Sequence, residues 1–281
     1  MELPARRILL LALAAALLAP ASAYGDVLSE YTDLAERELE PAPLVPTTAP
    51  RAIGGIDRAV EAFGNRRRSG YGLRLVHYGP GGPDAVIAFQ GGTWKGMRGG
   101  VREFTRSGLG KRRTRVRGHA GYFFKGPRSR VLLWREDGVV YWMGTGQPRK
   151  ISVRGLRRTA DGLERLGGAY AGSGEGDDYA TGAVIVTTET TVTAHVDWGA
   201  PCFAADGSER AGHAGNKRVT LLPRDGAAFT SSLDGGDWTG TVSGTVRDGA
   251  VDVTVRAVRS ADGETCDTGA VAFTARPIEP I

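Results

Sequence analysis

The segment 131–144, VLLWREDGVVYWMG, constrains the fold more than any other stretch of this sequence. Asp137-Gly138 separates two runs of apolar and aromatic residues. This dipeptide favours the two-residue type I′ turn, in which both central residues need positive φ. The segment therefore predicts an antiparallel β-hairpin.

That turn also sets which residues of the hairpin face each other. Trp134 is predicted to pair with Tyr141, and Leu133 with Trp142. Side chains alternate between the two faces of a sheet, so each face of the hairpin receives one Trp. We expect both faces to be covered by other parts of the chain.

Residues 169–281 contain segments rich in Val and Thr and no helical periodicity. Asp-Gly pairs recur between them, at 206–207, 225–226, 234–235, 248–249 and 262–263. Predicted strands cover 183–187, 191–198, 218–222, 238–247, 250–258 and 269–275. Short strands with turn signals at this spacing predict an all-β sandwich or jelly-roll-like domain.

The first half of the chain mixes helix and strand patterns. Helices are predicted after Asp26, over 52–63, and from Ser152 to a stop at Gly167, and a proline-rich, extended linker follows the first of them. Besides the hairpin, strands are predicted over 71–78, 84–89 and 114–124. Together these elements predict an α+β domain, a curved antiparallel sheet with helices.

Charge divides the chain near residue 168. Residues 24–168 hold 26 Lys and Arg against 14 Asp and Glu, a surplus of 12 positive charges, whereas residues 169–281 hold 8 against 16, a surplus of 8 negative charges. The predicted segments are a signal peptide (1–23), a helix and proline-rich linker (24–50), the α+β domain (51–168) and the all-β domain (169–281).

The N-terminal residues have the layout of a secretory signal. Arg6 and Arg7 precede the apolar run 8–19, and small residues occupy 21–23. This run is shorter than the ~20 residues that a transmembrane helix needs. We expect cleavage before Tyr24, a protein that is secreted or held in the cell envelope, and no membrane-spanning segment after cleavage.

Export limits the classes of anionic partner that the basic half can meet. A basic domain raises the question of nucleic acid, but an exported protein is not expected to meet it. The anionic partners expected instead are lipid headgroups, wall polymers or the acidic half of this chain. The simplest interpretation is that the basic residues form a solvated surface. The sequence leaves the oligomeric state open.

The chain has two cysteines, Cys202 and Cys266. An oxidising compartment favours a disulfide between them. The alternatives are a metal pair or a reactive thiol, but the cysteines lack the spacing of zinc ligands. We therefore predict the disulfide.

Motifs for catalysis and cofactors are not found. Gly172-Ser173-Gly174 is interpreted as a flexible linker and not as a nucleophile elbow or dinucleotide loop. Glu175, Asp177 and Asp178 are interpreted as a solvated acidic linker, with calcium binding as the alternative. We expect no catalytic residue, no metal ligand and no cofactor. The alternative is a hydrolase whose two carboxylates are distant in sequence, since such a pair needs no sequence motif.

Three tryptophans of the first half are the candidate ligand-binding residues: Trp94, Trp134 and Trp142. Their rings suit stacking on sugars or acyl chains, and core packing is the alternative interpretation.

Three segments of the first half carry a resemblance to a known group of proteins. VRGHAGYFFKG (116–126), RVLLWREDGVVYWMG (130–144) and SVRGLRRTADGLERL (152–166) resemble an uncharacterised bacterial envelope domain found near anti-sigma regulators. That domain is similar to half-barrels of the lipoprotein-carrier and MucB/RseB type. The resemblance implies a curved sheet wrapped around helices that holds a lipid chain or a lipoprotein.

The second half carries a separate resemblance. The W-x-x-x-C pattern at 198–202 and the C-x-T-G pattern at 266–269 resemble a β domain repeated in secreted proteins of high-GC Gram-positive bacteria. This resemblance implies the same cysteine pairing and a sandwich, with no established activity.

These observations predict a secreted, non-enzymatic envelope protein that binds a lipid, a lipoprotein, a wall component or a partner protein. The alternatives are a secreted hydrolase of cell-wall or glycan polymers and a purely adhesive surface protein. An open apolar cavity beside the N-terminal sheet would favour a carrier, and a cleft with convergent carboxylates would favour the hydrolase. A solid core in both halves would favour adhesion.

Overall fold

The computed structural model describes residues 27–37, 39–56, 60–62, 70–80, 82–93, 97–98, 101–102, 106, 109–175 and 179–279. The fold is mostly β, with two antiparallel sheets. Contacts divide the chain into two compact units, Met1–Arg165 and Leu166–Ile281. In the described ranges, no helix has the length and apolar character needed to cross a membrane. The predicted signal peptide lies outside these ranges.

Unit 1 is built on a seven-stranded antiparallel sheet of order β2-β3-β4-β8-β7-β6-β5. Its described strands are β1 (Leu44–Pro46), β2 (Val60–Ala62), β3 (Gly70–Gly79), β4 (Gly82–Thr93), β5 (Gly110–Val116), β6 (His119–Lys125), β7 (Arg130–Glu136) and β8 (Val139–Thr145). Its described helices are α1 (Val27–Ala35), α2 (Val153–Asp161) and a short 3-10 helix (Arg51–Ile53).

The predicted hairpin of β7 and β8 is confirmed in register and in turn geometry. Trp134 pairs with Tyr141 and Leu133 with Trp142. Asp137 and Gly138 have φ values of 47° and 82°. Both tryptophans are buried, so the hairpin is covered on both faces as expected.

The single strand predicted over 114–124 is wrong, because this segment is a second hairpin. Arg117 and Gly118 have φ values of 52° and 81° and form the turn between β5 and β6. The glycine accepts positive φ without strain, which allows the two-residue turn. β5 is thereby placed at an edge of the sheet.

The helix predicted over 52–63 is also wrong. Of the described residues in this stretch, only Arg51–Ile53 forms a helical turn, and it ends where Gly54 adopts φ 82°. β2 follows and pairs with β3. A glycine with positive φ interrupts the helical hydrogen bonds. The apolar pattern that follows Gly54 therefore does not continue the helix.

The helix predicted from Ser152 begins as expected and ends early. The Ser152 hydroxyl accepts a hydrogen bond from the Gly155 N–H at 3.1 Å, an N-cap. The helix ends at Gly162, and Leu163 starts strand β9 (Leu163–Glu175). The first residues of β9 pair with β1, which therefore forms a strand inside the predicted linker.

Unit 2 continues β9 and adds eight further strands. These are β10 (Ala180–Thr188), β11 (Thr191–Ala204), β12 (Glu209–Pro223), β13 (Ala228–Ser232), β14 (Trp238–Arg247), β15 (Ala250–Ala261), β16 (Glu264–Asp267) and β17 (Val271–Pro277). The pairing runs β9-β10-β11-β16-β15-β17 and returns to β9, with β12 added to β11 and β14-β13 added to β15. Buried side chains from these strands form the core of unit 2, among them Trp198, Trp238 and Val255.

The prediction of a flexible linker at Gly172-Ser173-Gly174 is wrong, because these residues lie within strand β9. All three residues pair with β10. A Cβ on Gly172 would lie 2.7 Å from the Ala275 Cα, so glycine serves the close approach of another strand at this position.

Candidate binding cavity

The hairpins of unit 1 give its sheet two different faces. One, called here the aromatic face, carries Tyr71, Phe89, Trp134 and Tyr141. The other, called here the cavity face, carries Ala120, Tyr122, Phe124, Val131, Leu133, Arg135, Val140 and Trp142. The assignment follows from strand alternation and from the registers of β3 to β8.

The aromatic face is closed by ring packing. The Trp134 and Tyr141 rings stack with centroids 5.4 Å apart, and Phe89 lies 6.2 Å from Trp134 and 5.9 Å from Tyr141. Helix α2 packs against β5, β7 and β8, and buries Leu156 and Ala160. Burial raises the pKa of Tyr141 to about 12, with Arg165 opposing the shift.

The cavity face is covered less completely. Met97, Val101 and Leu109, from the segment between β4 and β5, pack on an apolar cluster that includes Leu133 and Trp142. Beside this cluster lies a cavity of about 320 Å³. Its lining includes Ala120, Tyr122, Leu133, Arg135 and Val140 from the cavity face and Val101 from the covering segment. Gly121 and Trp134, which lie between these positions in β6 and β7, also belong to the described lining.

The three candidate tryptophans do not meet at one site. Trp134 belongs to the aromatic face, where its indole N–H donates to the Glu136 carboxylate at 3.2 Å. Trp142 lies on the cavity face and donates to the Gln90 side-chain oxygen at 2.8 Å. Trp94 lies outside the described residues. Adjacent strands place the two described tryptophans on opposite faces, so they cannot stack on one ligand together.

The margin of the cavity face is basic. Arg113 pairs with Tyr122 across β5 and β6, and Arg115 pairs with Ala120. The Lys111 ammonium lies 4.0 Å from the centroid of the Tyr122 ring, within cation–π range. Arg135 adds a further exposed guanidinium in β7. Sequence reasoning noted the charge of this half but gave no sign that these side chains border an apolar cavity.

In unit 2, the predicted disulfide between Cys202 and Cys266 is present, and both residues are buried. They are directly paired across β11 and β16.

One group in the described part of the chain has the proximity of metal ligands: Cys202, His213 and Glu264. The sulfur of Cys202 is already committed to the disulfide, and the Arg259 guanidinium lies 2.6 Å from the Glu264 carboxylate. His213 Nε2 lies 2.9 Å from the same carboxylate. The group is therefore an ion-pair cluster around a disulfide. Of the acidic residues considered for calcium, Asp177 and Asp178 lie outside the described ranges.

Comparisons with known proteins give no neighbour: no protein family, no curated protein and no solved structure matches this chain. Within the described residues, the apolar cavity with its basic margin is the feature of unit 1 that has the character of a binding site.

Proposed function

We propose that this chain is an exported envelope protein whose first unit binds an apolar chain, either of a lipid or of a lipoprotein. The observation that supports the proposal is the cavity on the cavity face. Its volume of about 320 Å³ falls within the ~300–1,000 Å³ typical of small-molecule pockets. Val101, Leu133 and Val140 give it an apolar lining.

The chemistry of the lining favours binding over hydrolysis. A glycosidase needs a pair of carboxylates that flank the scissile bond. Among the described residues that line this cavity there is no carboxylate, and Arg135 is the one charged side chain. A hydrolase of wall or glycan polymers and an adhesive surface protein remain the alternative proposals.

We propose that residues 51–168 form an α+β domain of the lipoprotein-carrier type and that residues 169–281 form a sandwich or jelly-roll-like domain. The signal-like segment 1–23 and the disulfide support export to an oxidising compartment. The predicted ligands are an envelope lipid, a lipoprotein or a wall polymer, and nucleic acid is not among them.

The direct test is mass spectrometry of an organic extract of the protein purified from a host that exports it. We expect about one acyl-chain compound per protein molecule. The matched variant is Ala120→Trp, because Ala120 lines the cavity and is exposed, so a large ring there fills the space without disturbing the core. Ala228→Trp is the control, an exposed alanine on strand β13 of unit 2.

Loss of the compound in Ala120→Trp and its retention in Ala228→Trp would support binding in the cavity. Equal loss or equal retention in both variants would place the compound elsewhere and contradict the proposal. If extracts of the unaltered protein contain no compound and added long-chain lipids do not bind, the proposed function is wrong.

A further inference from the structure

The basic margin of the cavity indicates which kind of apolar ligand it takes. Resting on the proposed function, we infer that the cavity binds a single-chain amphiphile with an anionic head group, and that Arg115 and Arg135 hold that head group. The chain would lie on Leu133 and Val140. The head would lie at the mouth beside Ala120.

The strand register brings the two arginines to one place. Arg115 of β5 pairs with Ala120 of β6. The next residue of β6, Gly121, pairs with Trp134 of β7, so Arg135 is the β7 neighbour of Ala120. Two interstrand spacings of about 4.8 Å separate the backbones of β5 and β7. One anionic group above the small Ala120 side chain is thus within reach of both guanidinium groups.

The local charge favours an anion at this position. Arg115 and Arg135 are exposed, and among the described residues neither forms an ion pair. The described side chains of β5 to β8 on the cavity face include Lys111 and Arg113 but no carboxylate. The acidic residues nearest in sequence, Glu136 and Asp137, pair instead with Arg117 and Arg165.

Protection of a sheet edge is the other reason for arginines on β5. Charged side chains on an edge strand prevent pairing with other chains. Edge protection does not depend on the face of the sheet, so it would involve Arg112 as much as Arg115. Strand alternation places Arg112 on the face opposite to Arg115. A ligand held at the cavity depends on the face, so Arg112 provides the matched control.

The size of the cavity favours one chain. At about 320 Å³ it lies at the lower end of the ~300–1,000 Å³ range for small-molecule pockets, and lipids with several chains need more space. Arginine forms paired hydrogen bonds with carboxylate and with phosphate, so both head groups fit the same site.

The test is calorimetric titration of the full-length exported protein with three twelve-carbon compounds below their micellar concentrations: dodecanoate, dodecyl phosphate and dodecanol. We expect the two anions to bind about tenfold or more tightly than the alcohol, because charge-assisted hydrogen bonds to arginine are lost with the neutral head. Arg115→Gln with Arg135→Gln should remove this preference, so that the two anions bind no more tightly than dodecanol. The control is Arg112→Gln with Arg128→Gln, the latter an exposed arginine between β6 and β7. It changes net charge equally and should retain the preference.

The outcomes separate this inference from the proposed function. If all three compounds bind equally and the Arg115/Arg135 variant has no effect, the head-group inference is wrong and the cavity proposal stands. If none of the three binds, both are wrong. Equal loss of preference in the control variant would mean general attraction by net charge and would overturn the inference. Complete displacement of dodecyl phosphate by inorganic phosphate would also overturn it, since the site would then select phosphate without a chain.

Discussion

The hydroxyl of Tyr71 hydrogen-bonds both backbone groups of Leu44. It donates to the Leu44 carbonyl at 2.8 Å and accepts from the Leu44 N–H at 2.8 Å. Both residues are buried, so water cannot replace either bond. A side chain of β3 thus provides the hydrogen-bond partner for both backbone groups of Leu44 in the three-residue strand β1.

Replacing Tyr71 by Phe tests this relationship. The change keeps the ring but leaves the Leu44 N–H and carbonyl buried without a partner, which we expect to lower the free energy of unfolding by about 2 kcal/mol. Urea denaturation measures the change. Tyr122→Phe is the control and should stay within about 0.5 kcal/mol, because Tyr122 is only partly buried. Equal stability of Tyr71→Phe and the unaltered protein would contradict the prediction.

Gly91 lies beneath two aromatic rings of the aromatic face. A Cβ there would lie 2.7 Å from Tyr141 Cε1 and 2.8 Å from Tyr71 Cε1. We expect Gly91→Ala to destabilise the protein by about 2 kcal/mol, since the packed rings must move.

Gly110→Ala is the matched control for that substitution. Gly110 lies in β5 of the same sheet, and its added Cβ would lie 3.6 Å from the nearest atom, the Lys125 carbonyl oxygen. We expect a change within about 0.5 kcal/mol, in the stabilising direction, because alanine has less backbone freedom to lose. Thermal melts of both variants give the comparison, and equal melting temperatures would refute the account of Gly91.

The disulfide closes a long loop. Cys202 and Cys266 are 64 residues apart, which corresponds to about 4 kcal/mol of stabilisation in the chain-entropy account. We expect the double variant Cys202→Ala, Cys266→Ala to lose stability of this order. Guanidinium denaturation measures the loss, and non-reducing peptide mapping of the unaltered protein should show the two cysteine peptides linked. Free thiols in the exported protein would disprove the pairing.

Asp267 predicts a dependence of stability on acid pH. Burial alone would raise the pKa of its carboxyl. Hydrogen bonds from the Arg256 guanidinium at 3.0 Å and the Gly269 N–H at 2.8 Å outweigh burial and hold that pKa below its ordinary value of about 3.9. The folded protein therefore binds this proton less readily than the unfolded chain. The stabilisation is present above pH ~4 and is lost as the pH falls through the folded pKa.

Asp267→Asn isolates this effect. At pH 7 we expect the variant to be about 0.5 kcal/mol less stable, a small figure because the ion pair is largely exposed to solvent. As the pH falls through the folded pKa of Asp267, the variant and the unaltered protein should approach equal stability, since the aspartate becomes protonated and loses its charge. Urea denaturation at a series of pH values measures the difference. Parallel curves across the whole range would contradict the prediction.

The parts of the fold that were predictable from sequence depend on short-range chemistry. Asp137-Gly138 encodes its own turn, and the turn sets the register of β7 and β8. Ser152 begins helix α2 as a capping residue. The errors at 52–63 and 114–124 also arose locally, where the left-handed glycines Gly54 and Gly118 end or reverse an element that apolar spacing alone would continue.

The cavity could not be predicted in this way, because its residues meet only through strand pairing. Arg115 and Arg135 are neighbours of Ala120 because β5, β6 and β7 lie side by side in this register. Trp142 hydrogen-bonds Gln90, which lies 52 residues away in the sequence. A shift of one residue in any strand would exchange the two faces of that strand.

The sequence by itself determined the β-rich character of the chain, the hairpin of β7 and β8, the charge difference between its halves and the pair of cysteines available for a bond. Each of these depends on composition or on residues a few positions apart. The tertiary structure decided which face each tryptophan occupies, that β9 replaces a linker, and that arginines border an apolar cavity. These depend on contacts between distant segments, whose energies arise only when the sheet has formed.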